Sequence, residues 1–388
     1  MDLRALSERF YDQMVKDRRH FHMHPEISFQ EFQTANYICA RLDQLGISYQ
    51  YPVGENGIAA KVAGSLPDSS LAFRADIDAL KLEEKNDVPY QSQNPGVMHA
   101  CGHDFHTAAL LAFAESVQEN KDALCGEITF LFQHAEEVGP GGALGMIQGG
   151  CLHGVDKIYA AHVDAEQDIG VVSVREGFAS GTNIVFRVNI QGRGGHSARP
   201  AETVDALLAA CQCVSAIHTI AGRKLNPEEA AAINIGYINS GQARNIICDE
   251  ASFGGMVRAY DFHICRRMMT HIETTIDGIC RASGASFTIQ SDDGYPAIIN
   301  SAPETEMVRT AVKTYTNFAL TEGEANFGGE DFSYYLHKIP GCMFKVGVRN
   351  PEKGLVFAQH HPLFDGDEQG LRCIFEVFWG IYLAENSL

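Results

Sequence analysis

The sequence predicts an α/β protein: a discontinuous first domain with a mainly parallel central sheet and helices on both faces, interrupted by a smaller inserted α+β domain. Three observations lead there. Short apolar runs of strand length alternate with helix-period segments through the first third of the chain, as expected for a parallel sheet covered by helices. From about Gly177 the texture changes to longer period-2 runs followed by helices. After Tyr295-Pro296 the first pattern resumes. At 388 residues the chain exceeds one ordinary core, and about 100–200 residues per domain gives two. The expected cuts place residues 1–177 and 293–388 in the first domain and 178–292 in the insert.

Taken in order, Leu3, Leu6, Phe10 and Met14 share one helical face, and a second helix is expected over 31–45. Strands are expected at 57–62 and 70–75, a helix at 107–117, a strand at 127–133, a glycine-rich turn at 139–142 and a strand at 157–162. The insert opens with a period-2 strand at 182–191. It continues through Gly192-Arg193-Gly194-Gly195-His196 to a helix from Thr203, strands near 231–238 and 251–258, and a helix over 262–281. The return segment carries a helix at 302–315, a strand at 343–346 and a C-terminal helix from Asp367. In such sheets functional residues gather in loops at the carboxyl ends of strands. Arg74-Ala75-Asp76, Glu136-Glu137 and His162 all fall at such ends.

Composition narrows the partners. Thirty Lys and Arg against forty-nine Asp and Glu give a formal charge of -19, which repels nucleic-acid phosphates and anionic membrane surfaces. Nucleic acid and membrane are therefore not expected partners; a small molecule is, since a local pocket can bind an anion inside a negative overall field. Eleven cysteines, scattered singly as at Cys39, Cys211, Cys280 and Cys373, fit free and mostly buried thiols in a reducing compartment. The first residues carry no apolar signal core, and the long uncharged stretch 206–222 contains Gln212, Ser215, His218 and Thr219. A buried helix is expected there rather than a membrane span, and a cytoplasmic location for the protein.

The densest chemistry lies in Met98-His99-Ala100-Cys101-Gly102-His103-Asp104-Phe105-His106. Thiolate and imidazole suit zinc and its neighbours, and the alternate spacing of Cys101 and His103 would let both point into one cavity from an extended loop. A reduced core cysteine beside a helix cap, with Asp104 as the cap, explains the same residues equally well in isolation. The balance shifts with Glu136-Glu137, which follow the apolar run Phe130-Leu131-Phe132-Gln133 and precede a glycine-rich turn. On an extended segment adjacent carboxylates face differently, so one can ligate a metal while the other acts as general base. His162 and the pair His360-His361 offer further neutral nitrogen ligands. A lone histidine is more often a surface or satisfied core residue, and only the constellation raises these.

These residues resemble the aminoacylase and carboxypeptidase-like metallopeptidase family twenty, in its branch of hippurate hydrolases, indole-acetyl-amino-acid hydrolases and N-acyl-amino-acid amidohydrolases. The resemblance runs from Arg19-His20-Phe21-His22-Met23-His24-Pro25-Glu26 through Ala75-Asp76-Ile77-Asp78-Ala79-Leu80, the Cys-Gly-His-Asp motif, Gly194-Gly195-His196 and Gly328-Gly329-Glu330-Asp331-Phe332 to His360–Phe364. It implies two divalent metal ions, zinc or manganese, with cobalt or nickel as alternatives. Cys101 would bridge them, with His103 and His162 on one and Glu137 and His360 on the other. Glu136 becomes the general base, and Asp76 a carboxylate that orients a ligand. The insert becomes a lid and dimerisation domain, so a homodimer is expected. His196 would contact the substrate, often across the dimer interface, while Asn245 and Arg258 would help hold its free carboxylate. The implied reaction is hydrolysis of the amide of an N-acyl amino acid.

Four positions depart from the usual pattern: His134, Ala165 and Cys248 stand where proline is common, and Gly329 replaces a serine or alanine. None removes a ligand or the base; they bear on substrate preference. Alternative readings are a metal-dependent dipeptidase or carboxypeptidase, a Cys101 nucleophile activated by His103 or His99, and a non-catalytic metal-binding relative. Retention of Glu136 speaks against the last.

Overall fold

The structure is a computed structural model and describes residues 1–65 and 70–386. The chain forms two compact units, the first made of Met1–Ala179, Ile298–Glu324 and Asp331–Leu388, the second of Ser180–Ala297 with Ala325–Glu330. The cuts lie near the expected ones, but the short return segment Ala325–Glu330 joins the second unit.

In the first unit, β1 (Ser48–Val53), β2 (Gly57–Ala63), β3 (Leu71–Asp76), β4 (Glu127–Gln133), β5 (Lys157–Asp168) and β6 (Val171–Val174) join the strands Ala319–Glu322 and Gly341–Arg349 in one eight-stranded sheet. Its order is β1, β2, β4, β3, β5, Gly341–Arg349, β6, Ala319–Glu322. The central strands β4, β3, β5 and Gly341–Arg349 run parallel, and antiparallel pairs flank them.

Alternation along the strands divides the core into two layers, because successive side chains point to opposite faces. Phe73, Ala75, Phe130, Phe132, Tyr159 and Ala161 enter one layer with α1 (Leu3–Met23), α3 (His103–Asn120) and the helices Ala302–Tyr315 and Gln369–Glu385. Ala72, Leu131, Ile158 and Ala160 enter the other, beneath the short helices Ala143–Gln148 and Ser333–Leu336. Here α2 (Phe32–Leu45) ends at Gly46 in the left-handed conformation, the usual glycine stop.

The second unit is a four-stranded antiparallel sheet in the order Ala231–Ser240, Glu250–Ala259, Thr182–Gln191, Ser286–Asp293. Ile184, Phe186, Val188 and Ile190 point to the helices Ala206–Ile217 and Phe262–Ser283, while Val185, Arg187, Asn189 and Gln191 between them are exposed. The uncharged stretch at 206–222 thus supplies the helix Ala206–Ile217 of this core, and among the described residues no helix is long and apolar enough to cross a membrane. All eleven cysteines are free thiols; Cys39, Cys280 and Cys373 are buried as expected, whereas Cys211 faces solvent.

The strands Ser48–Val53, Val171–Val174, Ser286–Asp293 and Ala319–Glu322 were not expected from the sequence. All are short or largely exposed, so their apolar pattern is weak.

Candidate metal centre

Three neighbouring strands deliver the polar residues to one end of the first unit's sheet. Asp76, the last residue of β3, lies beside Gln133, the last of β4, and β5 pairs with β3 on its other side. The expected strand end at His162 is instead a position within β5, which runs on to Asp168 because Gly341–Arg349 continues to pair with it. The helix α3 starts at His103, earlier than expected, so Cys101 and His103 do not share an extended loop. They flank Gly102, the N-cap, at φ 92°. A β-carbon at Gly102 would lie 2.2 Å from Val163 Cγ2, so both the backbone conformation and the space require glycine. The Glu-Glu pair is likewise not extended: the preceding Ala135 turns the chain with φ 53°.

The candidate donors come together. Ligand atoms of Cys101, His103 and His162 lie within 4.8 Å of one another, and so do those of Cys101, Glu137 and His360. Cys101 belongs to both groups. Its Sγ is 3.5 Å from His162 Nε2, and His360 Nε2 is 3.5 Å from Glu137 Oε1. Around His103 Nε2 stand Asp76 Oδ2 at 3.8 Å, Glu137 Oε1 at 3.8 Å and Glu136 Oε2 at 4.0 Å.

Backbone carbonyls set the two inner imidazoles. His103 Nδ1 donates to the Asp78 carbonyl oxygen at 2.9 Å, and His162 Nδ1 to that of Val163 at 2.7 Å. In the neutral rings this leaves each Nε2 with its lone pair toward the cluster, the arrangement found where histidine ligates metal. His361 is engaged elsewhere: its Nδ1 accepts the Leu363 N–H at 3.1 Å and its ring stacks on Phe357. His106 is also spoken for, with Nδ1 on Asp76 Oδ1 at 2.6 Å and Nε2 accepting the Val163 N–H at 2.9 Å.

Asp76, expected to orient a ligand, stands 3.8 Å from His103 Nε2, and a second aspartate, Asp78, approaches the other nitrogen of the same ring. Asp78 Oδ1 lies 3.3 Å from His103 Nδ1, and its Oδ2 accepts the Glu137 N–H at 3.0 Å and the Ser28 hydroxyl at 2.6 Å. Asp76 also accepts from Arg74 Nη1 at 2.6 Å and holds His106. Arg74 also donates to Asp331 at 2.8 Å and Gln133 at 2.9 Å, tying the ends of β3 and β4 to the segment that begins at Asp331. On the helix side, Arg18 donates to Asp104 at 2.8 Å and Asp365 at 2.6 Å. Sequence reasoning put Arg74 at a functional strand end without giving it a role, and it singled out neither Asp78 nor Arg18. Alternation cannot decide which aspartate of Ala-Asp-Ile-Asp-Ala reaches a ligand from a neighbouring element. Arg18 did carry a signal, since it lies one helical turn past Met14 on the apolar face of α1.

The electrostatics fit a bound cation. Burial pushes the Cys101 thiol well up, and the neighbouring Glu137, Glu136 and Asp76 push it further. Burial alone would lower His103, yet Asp76, Asp78 and Glu137 hold it up at about 10. Burial raises Glu137 to about 7 and lowers His162 to about 3. Among the described residues, the buried His103 Nε2 and Glu137 Oε1 have no hydrogen-bond partner. A thiol, three imidazoles and three carboxylates thus crowd together, with acidic groups gathered around His103. Divalent cations satisfy such a donor set.

The other expected residues lie in the second unit. His196 is exposed on a two-residue strand, Gly195–His196, paired with Ile246–Ile247, and Ser197 N–H donates to the Asn245 carbonyl oxygen at 3.2 Å. Arg258 stands elsewhere: it pairs with Asn183, whereas the chain leading to His196 leaves the sheet after Gln191, opposite Glu250. Those ends are about 26 Å apart at the usual strand rise. His196 and Asn245 are brought together, and Arg258 is not with them.

Comparison with known proteins gives a consistent set of likenesses. The profile of the family described as Peptidase family M20/M25/M40 matches residues 72–378. The chain is 40% identical over 379 residues to the putative amidohydrolase YhaA of Bacillus subtilis, covering 97% of this chain and 96% of that protein. It is 36% identical to an N-acyl-L-amino acid amidohydrolase of Geobacillus stearothermophilus, covering 77% and 81%. The crystal structure of the Bacillus subtilis YXEP protein, described as a dinuclear metal binding peptidase from M20 family, superposes with a TM-score of 0.84 at 29% identity, covering 98% and 99%.

Proposed function

This chain belongs to peptidase family M20/M25/M40, a hydrolase acting on amide bonds, and from that premise we propose that it cleaves the amide of N-acyl amino acids with Glu136 as general base. The observation that carries the reading is the sharing of Cys101 between the two donor groups, one with His103 and His162 and one with Glu137 and His360, with Glu136 Oε2 4.0 Å from His103 Nε2. Those five residues are the proposed holders of two divalent cations, zinc or manganese. The chemistry supplied by such a pair is polarisation of the scissile carbonyl and acidification of water.

Glu136, buried at the rim of the donor set, takes the proton of the attacking water. The water oxygen bonds to the acyl carbon, the C–N bond breaks, and Glu136 returns the proton to the departing amine. Asp76 holds His106 and, through its Nε2, the Val163 amide beside His162. His196 is assigned to the oxyanion, a contribution of about 3–4 kcal/mol in comparable sites. Asn245 and Arg258 are assigned to the substrate carboxylate. Their separation within one unit favours a homodimer in which His196 and Asn245 serve the second copy's substrate.

The test is metal analysis together with a hydrolysis screen of acetyl-, benzoyl- and indole-acetyl-amino acids. Two metals per chain are expected, with turnover on at least one series. Glu136→Gln should keep both metals and lose turnover; a variant that retains its metals and wild-type turnover removes Glu136 from the role.

A further inference from the structure

The N-terminal loop that follows α1 grips the Glu136-Glu137 segment at three points. Phe29 packs edge-on against the His134 ring, with centroids 5.9 Å apart. Ser28 donates to Asp78 Oδ2 at 2.6 Å, and the same oxygen accepts the Glu137 N–H at 3.0 Å. Between these, the fully buried Glu31 accepts the Ala135 N–H at 2.8 Å and the Phe29 N–H at 3.0 Å, both on Oε1, while Asn56 Nδ2 donates to its other oxygen at 3.1 Å.

The two residues whose amides meet on that one oxygen are unusual in the same way. Phe29 has φ 66° and Ala135 φ 53°, a conformation that a β-carbon disfavours. Such backbone persists where surrounding contacts over-determine it, and it gathers at functional sites. Ala135 immediately precedes Glu136, so its dihedral angles decide where the next two carboxylates go.

We propose that Glu31 is a positioning residue: by accepting the Ala135 and Phe29 amides together, it holds Ala135 left-handed and so aims Glu136 and Glu137 at the donor cluster. This inference rests on the assignment of Glu136 as base and Glu137 as ligand. The working group is the acceptor oxygen, since a charged oxygen and an amide oxygen can both take two N–H donors. Glutamine at this position therefore preserves the grip, and alanine abolishes it.

The experiment uses the full-length chain loaded with Co²⁺, whose visible absorption reads ligand geometry without reference to turnover. In Glu31→Ala the spectrum is expected to change, Co²⁺ affinity to fall about 10–100-fold, as when other partners of ligands are removed, and kcat to fall while KM stays near its original value. Glu31→Gln is expected to keep the wild-type spectrum and most of kcat. Adding Ala135→Gly to Glu31→Ala is expected to recover the spectrum, because glycine adopts the left-handed conformation without being held. An unchanged spectrum and affinity in Glu31→Ala overturns the proposal, and so does a Glu31→Gln variant whose spectrum departs from wild type. Should Glu31→Ala not fold, Glu31→Gln alone decides. Glu136→Gln, measured in parallel, separates the two claims: full turnover there defeats the base assignment, while the Co²⁺ spectra of the Glu31 variants still judge the clamp.

Discussion

The backbone N–H of His360 donates to the carbonyl oxygen of Ala100 at 2.8 Å, and His360 sits in the left-handed conformation at φ 63°. The contact fastens a residue from the C-terminal part of the chain to the residue before Cys101. It brings His360 Nε2 to Glu137 while the next residue, His361, turns to Phe357.

The two adjacent histidines should therefore behave differently. His360→Ala is expected to lower bound metal by about one ion per chain under dilute metal, on the ligand count of such sites. His361→Ala should leave metal content unchanged. Atomic emission on both purified variants checks this, and equal loss in both would remove the distinction.

Asp78 supports a ligand ring and a ligand backbone at once, through His103 Nδ1 and the Glu137 N–H. Asp78→Ala should weaken metal affinity about 10–100-fold, the usual consequence of losing the partner of a ligating histidine. Competition against a chromophoric chelator measures it, and an unchanged affinity would leave the Asp78 carbonyl as the sufficient partner of His103.

Arg18 is wholly buried and answers two carboxylates, Asp104 and Asp365, with Glu368 further off at 3.4 Å. Arg18→Met leaves Asp104 buried without its guanidinium partner. Breaking a buried pair from one side costs about 3–5 kcal/mol, so the urea midpoint should fall sharply. A midpoint close to wild type would mean that His22, which also contacts Asp104 at 2.8 Å, suffices.

A pH dependence follows at Asp367. Burial would raise its carboxyl, but Asn350, Lys353 and the Gln369 N–H together hold it below the ordinary value. The sign is that of a depressed carboxylate: stability is present above the unfolded pKa of about 3.9 and is lost as pH falls through the folded value. Asp367→Asn should thus cost about 1 kcal/mol at pH 7, and less as acid protonates the wild-type group. Thermal midpoints of both proteins at pH 7 and near pH 3 test it; a gap that widens in acid would reverse the assignment.

Much of the fold was legible where the local pattern is strong: a continuous apolar run, a period-2 run or a helix-period run. The expected ranges 127–133, 182–191 and 302–315 coincide with Glu127–Gln133, Thr182–Gln191 and Ala302–Tyr315. Where strands are short or half exposed, as at Ala319–Glu322, the period-2 signal sinks into that of a polar loop.

The sequence by itself determined which residue types could make the centre: Cys101, His103, Glu136, Glu137, His162 and His360 are all readable as donors or base. The tertiary structure decided how they are aimed. Local pattern reports the period of a strand or helix, whereas direction depends on contacts between residues far apart in the chain. Gly102 against Val163, Asp78 against His103, Ala100 against His360 and Glu31 against Ala135 are all of that kind. The Cys-Gly-His-Asp stretch that reads as an extended loop is a left-handed turn into a helix, because Val163 leaves no room there for a β-carbon.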